Sequence, residues 1–192
     1  MIIFIPKRYE NSTLENFITD NEEAKRLQET LKTGVKQGFK QNILISGDVG
    51  VGKTHLAYGI IKALSPMEKK TTDKGEYLLC NAKNAAYLSI KEIIDTIRAT
   101  WRKEPDSYDL NKIDDIKRSE LLIIDEVGVQ YGTESERLEL FDIINHRYNE
   151  CLTTICLSNL DDKKIASLLG RRICDRLFGG GLTFNLTGKS KR

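Results

Sequence analysis

Short apolar runs alternate along this chain with stretches in which apolar residues recur every three or four positions. The apolar runs predict five strands, at residues 42–46, 77–80, 121–124, 153–157 and 182–186. The run at 121–124 contains only leucine and isoleucine, which is typical of a strand buried on both faces of a parallel sheet. Strands that alternate with helices indicate an α/β fold with a mostly parallel sheet.

Helical spacing fills most of the sequence between these runs. It predicts one or two helices within residues 14–36 and single helices at 53–64, 86–103, 134–149, 162–169 and 171–178. The first dozen residues predict an extended arm. We therefore expect an N-terminal arm and helix over residues 1–40, leading into a core over residues 41–192.

Composition narrows the class of protein. With 192 residues, 40% of them hydrophobic, the chain is expected to fold as one globular domain rather than remain disordered. The longest uncharged apolar stretch, residues 151–160, has roughly half the length that a membrane span needs. The apolar residues 1–5 are shorter than a signal-peptide core, so no signal peptide is expected. Four cysteines at uneven spacing predict reduced, structural thiols. We expect a cytoplasmic protein that does not bind a membrane.

The residues after the first predicted strand carry the strongest chemical signal. They match the phosphate-loop pattern G-x-x-x-x-G-K-[ST] at Gly47, Asp48, Val49, Gly50, Val51, Gly52, Lys53 and Thr54. Such glycines let successive N–H groups face a polyphosphate, which also meets the positive end of the following helix. Lys53 is expected to reach the β- and γ-phosphates and Thr54 to bind Mg²⁺. His55 follows the loop and is grouped with the nucleotide-binding residues, although a packing role is expected for its ring.

Polar residues follow two further predicted strands. Asp125 and Glu126 come directly after the run at 121–124, where ligands bind in parallel sheets. Asp125 is expected to hold Mg²⁺ through its water shell and Glu126 to polarise the attacking water. Asn159 follows the run at 153–157 and could bond the γ-phosphate or that water. A turn is the alternative role for Asn159.

Two arginines share a helix face further along the chain. Arg172 and Arg176 lie four residues apart and could stabilise the charge of a phosphoryl-transfer transition state, in some ATPases supplied by a neighbouring chain. A solvated basic face is the alternative. Because the net charge is only +2, any nucleic-acid binding is expected to depend on a local patch.

Taken together, these motifs resemble bacterial and phage replicative helicase loaders of the DnaC/DnaI type, which are AAA+ ATPases. IstB-type transposition helper ATPases are similar. The resemblance rests on Ile-Pro-Lys-Arg-Tyr at 5–9, Leu-Glu-Asn-Phe at 14–17, Gly-Lys-Thr-His-Leu-Ala at 52–57, Leu-Leu-Ile-Ile-Asp-Glu-Val-Gly at 121–128, Leu-Ser-Asn-Leu at 157–160, Gly-Arg-Arg-Ile-Cys-Asp-Arg-Leu at 170–177 and Thr-Gly-Lys-Ser-Lys-Arg at 187–192.

This resemblance implies an AAA+ P-loop fold with five parallel strands in the order 5-1-4-3-2 and no C-terminal helical lid. It implies that Asn159 is the first sensor and that Arg176 acts in trans on a neighbour's nucleotide, with Arg172 as the second candidate. ATP and Mg²⁺ are the implied cofactors, and a homo-oligomer is expected to form on ATP binding.

The resemblance also implies a DNA-facing surface. The segment that ends in Arg98, Trp101, Arg102 and Lys103 combines cations with an aromatic ring, which suits single-stranded DNA. We therefore expect an ATPase that places a hexameric replicative helicase on single-stranded DNA. The alternatives are a transposition helper that acts on double-stranded target DNA and an ATP-gated binding module with little hydrolysis.

Overall fold

The computed structural model describes residues 2–65, 67–72, 75–81, 84–102, 104, 106–128, 133–188 and 190, without the side chains of 71–72 and 75–77. The strands are β1 Ile2–Ile5, β2 Ile43–Gly47, β3 Met67–Thr72, β4 Gly75–Asn81, β5 Ala85–Ser89, β6 Leu121–Val127, β7 Thr153–Ser158 and β8 Leu182–Leu186. The helices are α1 Glu22–Gln37, α2 Lys53–Leu64, α3 Ile90–Thr100, α4 Ser107–Arg118, α5 Glu134–Asn149, α6 Asp162–Leu169 and α7 Arg171–Phe178.

Five parallel strands form the main sheet, in the order β5-β6-β7-β2-β8. This arrangement confirms the predicted α/β class and the predicted strand order. Side chains of each central strand alternate between two cores, because successive residues point to opposite faces. Ile43 and Ile45 pack with α1 and α2, whereas Leu44 packs with α3, α5, α6 and α7. Covering helices on both faces explain why the strand sequences are continuously apolar.

One strand of the main sheet was assigned wrongly from the sequence. The run at 77–80 lies in β4, which belongs to a separate antiparallel sheet in the order β1-β4-β3. The edge strand next to β6 is instead β5, whose residues the sequence predicts to begin a helix. Parallel pairing of Ala85–Ser89 with Leu121–Asp125 overrides the local helical spacing there. The predicted arm is extended in β1, with β4 as its partner.

The helix boundaries show where local signals were sufficient. Helices α2, α5, α6 and α7 have the predicted ranges. The helix predicted within 14–36 is confined to α1, which begins after Asn21 because that side chain accepts a hydrogen bond from the Ala24 N–H (2.8 Å). Leu14 and Phe17 are buried without being helical. Helix α3 begins only after Ser89, which forms a capping box with Glu92.

Helix α4 was not predicted, and one buried arginine fixes its end. Its N-terminus is capped by Asp106. The Arg147 guanidinium donates to the carbonyls of Ile116 (2.9 Å) and Ser119 (2.8 Å) at the end of α4, and to the Thr153 carbonyl (2.6 Å). Burial lowers the pKa of Arg147 to about 10. Arg147 thereby ties α5 to α4 and to the start of β7.

Among the described residues, no helix combines the length and the apolar character needed to cross a bilayer.

Candidate nucleotide-binding site

The phosphate-loop sequence forms a tight turn between β2 and α2. Strand β2 ends at Gly47, and α2 begins at Lys53 after Gly52, which has φ 101°. A side chain at Gly47 would meet the Leu186 carbonyl at 2.2 Å, so the adjacent strand β8 allows only glycine there. No side chain of the described residues caps the start of α2. The N–H groups of its first turn therefore retain their capacity to bind an anion.

Lys53 holds its ammonium group over this loop. The side chain is buried, and Nζ donates hydrogen bonds to the carbonyls of Gly47 (2.6 Å) and Asp48 (2.8 Å). Both carbonyls belong to the turn itself. A positive charge thus lies beside the N–H groups that end the loop, which makes this corner of the molecule complementary to a polyphosphate.

Asp125 lies next to Thr54 at the carboxyl end of the sheet. Thr54 Oγ1 donates to Asp125 Oδ2 (3.0 Å), and the Glu126 N–H donates to Oδ1 (2.7 Å). A third donor, the hydroxyl of Tyr87 in the middle of β5, also donates to Oδ2 (2.8 Å). The carboxylate is therefore buried with both oxygens accepting hydrogen bonds. Sequence reasoning missed Tyr87, since its partner lies 38 residues away.

Glu126 has an unusual backbone conformation. Its φ of 58° lies in the left-handed region, which costs a non-glycine residue about 1–2 kcal/mol. The register between β6 and β7 shifts at this point, between Ile124 and Val127. Such an irregularity redirects a side chain, and the exposed Glu126 lines the same cavity as the phosphate loop.

Asn159 follows β7, which lies between β6 and β2 in the sheet. Because the strands are parallel, their carboxyl ends meet at one edge. Asn159 therefore lines the same cavity as Lys53, Thr54, Asp125 and Glu126. The hydroxyl of the preceding residue, Ser158, donates to the Val127 carbonyl (2.5 Å) and so fixes the end of β7 against β6.

The cavity has a volume of about 300 Å³ and a second wall that the sequence analysis did not assign. This wall comes from the N-terminal segment: Arg8, Tyr9, Ser12, Asn16, Phe17 and Ile18. His55 supports it, since its Nε2 lies 2.9 Å from the Thr13 carbonyl oxygen and its ring lies 5.9 Å from that of Phe17. The motifs at 5–9 and 14–17 were the available signal for this wall.

Three tyrosines connect this wall to Asp125. The ring of Tyr9 stacks on that of Tyr58 at 4.8 Å, and Tyr58 lies 4.8 Å from Tyr87. Burial raises the pKa of the Tyr87 hydroxyl well above its ordinary value, and the nearby Asp125 carboxylate raises it further. Burial also raises the pKa of Tyr58. Both hydroxyls are therefore neutral at physiological pH.

The two candidate arginines of α7, Arg172 and Arg176, lie outside the cavity. The Arg176 Nε donates to Asn145 Oδ1 (2.6 Å), and the guanidinium lies 4.9 Å from the ring centroid of Phe141 and 5.6 Å from that of Tyr148. Asn145, Phe141 and Tyr148 all belong to α5. Arg172, one turn earlier, is exposed. The structure thus holds Arg176 on its own chain and leaves Arg172 at the surface.

The predicted DNA-facing residues lie at the end of α3. Arg98 Nε pairs with the Glu136 carboxylate (2.5 Å), whose side chain is only 3% exposed, and Nη1 lies 3.5 Å from Asp95. Trp101 is 47% exposed and Arg102 is exposed. Lys103 lies outside the described residues. A contact between Arg98 and DNA would thus compete with an ion pair within the chain.

A model of the IstB-like ATP binding protein family matches residues 10–177. The chain belongs to this family. The match includes the phosphate loop, Asp125, Glu126, Asn159, Arg172 and Arg176.

Curated relatives carry the name replicative helicase loader DnaC. The protein from Buchnera aphidicola subsp. Acyrthosiphon pisum is 27% identical over 176 residues, which are 90% of this chain and 65% of that protein. The protein from Escherichia coli strain K12 is 26% identical, over 88% of this chain and 64% of its own length. The chain thus spans slightly less than two thirds of these two relatives.

Solved structures confirm the fold type. A crystal structure of the DnaC helicase loader superposes with a TM-score of 0.74 at 22% identity, covering 95% of this chain and all of that chain (100%). A DnaI structure gives 0.72 at 20% identity, covering 98% and 94% of the two chains. The replication initiator DnaA, bound to AMPPCP and single-stranded DNA, gives 0.72 at 23%, covering 94% and 51%. The chain therefore has the P-loop fold of AAA+ proteins.

Proposed function

We propose that this chain is a Mg²⁺-dependent ATPase that loads a replicative helicase onto single-stranded DNA. The observation that carries the proposal is the meeting of Lys53, Thr54, Asp125, Glu126 and Asn159 around one cavity. The names of the relatives support the loading role. Hydrolysis, the metal, the DNA and the helicase are parts of the proposal.

The two walls of the cavity suit the two ends of a nucleoside triphosphate. The phosphate loop offers N–H groups and the Lys53 ammonium to the polyphosphate. The opposite wall offers the rings of Tyr9 and Phe17, together with Ile18, to a base and sugar. In this arrangement the N-terminal segment contributes directly to nucleotide binding.

The donors beside the phosphate loop fit a hard divalent cation. The Thr54 hydroxyl and the Asp125 carboxylate are oxygen ligands that lie within 3.0 Å of each other. The described residues contain no cluster of three or more His, Cys, Asp or Glu side chains that could hold a metal alone, so the phosphates are expected to supply further ligands. Mg²⁺, when bound there, supplies positive charge against the β- and γ-phosphates.

Glu126 and Asn159 are the groups that would act at the γ-phosphate. The Glu126 carboxylate accepts a hydrogen bond from the attacking water and orients it. The Asn159 amide donates to the γ-phosphate or to the water, and so responds to the loss of the phosphate. Asp125 keeps its orientation through the three donors already described.

Arg176 and Arg172 are proposed to complete the site of a neighbouring chain. Neither lines the cavity of its own chain, and both lie on α7. A guanidinium from a second copy can stabilise the charge that develops during phosphoryl transfer. ATP would then favour a homo-oligomer, with Arg176 as the first candidate and Arg172 as the second.

The loading role is tested with the full chain and the hexameric replicative helicase of the same source. We expect native mass spectrometry to detect a complex that depends on ATP, and Glu126→Gln to accumulate it because hydrolysis is slow. Absence of a complex in ATP, ADP and nucleotide-free samples would contradict the loading role. Stimulation of ATPase activity by double-stranded DNA alone would favour the transposition helper instead.

A further inference from the structure

We propose that Tyr87 is a positioning residue for Asp125, and that its hydroxyl strengthens metal–nucleotide binding. The inference rests on the proposed function and assigns a part in it to a residue outside the recognised motifs. Its basis is the short hydrogen bond from the Tyr87 hydroxyl to Asp125 Oδ2 (2.8 Å). This is the oxygen that also accepts from Thr54 (3.0 Å).

The two donors to Oδ2 differ in what else they are expected to do. Thr54 is the residue whose hydroxyl the phosphate-loop motif assigns to the metal. Thr54 can bind a metal through an oxygen lone pair while its proton stays on Oδ2, whereas the Tyr87 hydroxyl is a side-chain donor to Oδ2 with no expected metal contact. The Glu126 N–H holds the other oxygen. Tyr87 therefore keeps the carboxylate in the orientation that faces the phosphate loop.

The ring of Tyr87 is held firmly enough for this task. It lies 4.8 Å from Tyr58, which is buried and stacks on Tyr9. Its backbone belongs to β5, which pairs with β6 from Ala85 to Ser89. The hydroxyl thus reaches Asp125 from a neighbouring strand, and a strand-borne donor is well suited to orient a metal ligand.

Tyr87→Phe removes the hydroxyl and retains the ring that contacts Tyr58. Electron paramagnetic resonance of Mn²⁺, used in place of Mg²⁺, measures metal binding in the presence of ATP. We expect Tyr87→Phe to weaken Mn²⁺ binding about tenfold, in the range typical of residues that orient metal ligands. Affinity for a fluorescent ATP analogue in EDTA should stay within about twofold of the unmodified chain, because the phosphate loop is unchanged.

Two controls make the result specific. Tyr108→Phe alters an exposed tyrosine on α4 that does not line the cavity, and it should leave Mn²⁺ binding unchanged. Incorporation of 4-aminophenylalanine at position 87 restores a donor at the same ring position and should recover much of the lost affinity.

Each other outcome has a distinct meaning. Failure of the unmodified chain to bind Mn²⁺ with ATP would overturn the proposed function itself. Unchanged Mn²⁺ affinity in Tyr87→Phe would overturn only the role of Tyr87. An equal loss of nucleotide affinity in EDTA, or loss of the fold judged by circular dichroism, would make the hydroxyl a structural group and would also overturn it.

Discussion

The cavity and the α5–α7 surface hold their functional candidates in opposite ways. In the cavity, the residues that would act on a nucleotide come from the phosphate loop, the start of α2, the ends of β6 and β7, and the N-terminal segment of one chain. On the surface formed by α5 and α7, Arg176 contacts Asn145, Phe141 and Tyr148. None of these three residues lines the cavity. From this difference we propose that one chain suffices to bind ATP, whereas fast hydrolysis requires a second chain.

The largest expected effect comes from removing Arg176. Arg176→Ala should lower ATP turnover in concentrated, assembled protein about 1,000-fold, the scale expected for a trans-acting arginine. Nucleotide affinity of the dilute chain should not change, because Arg176 lies outside the cavity. Steady-state phosphate release measures the turnover, and titration with a fluorescent ATP analogue measures the nucleotide affinity.

Arg172→Ala is the matched control for that measurement. It removes an exposed arginine one turn away on the same helix. A larger loss of turnover in Arg172→Ala would assign the role in trans to Arg172 instead. Weaker nucleotide binding by the dilute Arg176→Ala chain would exclude a role in trans for Arg176.

Glu126→Gln changes a residue of the cavity rather than of the surface formed by α5 and α7. We expect a fall in turnover of about 100-fold or more, because the amide no longer accepts the water's proton. ATP binding should be retained, since the phosphate loop and Asp125 keep their contacts. Rapid-quench measurement of the single-turnover rate checks this directly. Turnover equal to that of the unmodified chain would remove Glu126 from the mechanism.

The smallest effect concerns Arg98, which, like Arg176, is held by its own chain. Its hydrogen bond lowers the pKa of Glu136 below the ordinary 4.5. Because the folded-state pKa is the lower one, the stabilisation is present above about pH 4.5 and is lost as pH falls through the folded value. We expect Glu136→Gln to lower the melting temperature by a few degrees at pH 7 and by progressively less below pH 4.

Glu139→Gln serves as the control for that series, because Glu139 is exposed on the same helix. Melting curves that shift equally for both variants at every pH would contradict a specific role for the Arg98–Glu136 pair.

The sequence predicts those parts of the site whose signal lies within a short stretch of residues. The phosphate loop, the Asp125–Glu126 strand end and Asn159 each follow an apolar strand, so the parallel sheet alone determines that they meet. Tyr87 and the wall from Arg8 to Ile18 could not be found this way, because their contacts depend on how distant segments pack. The same limit explains the misassigned strand. The residues of β5 have helical spacing, and only pairing with β6 makes them a strand.

The most direct test of the central claim mixes two inactive chains. Glu126→Gln retains Arg176 but has a defective cavity, whereas Arg176→Ala retains the cavity but lacks the arginine. If each site uses a neighbour's Arg176, the mixture should hydrolyse ATP much faster than either variant alone at the same total concentration. ATPase activity no greater than the mean of the two separate variants would contradict a site shared between chains.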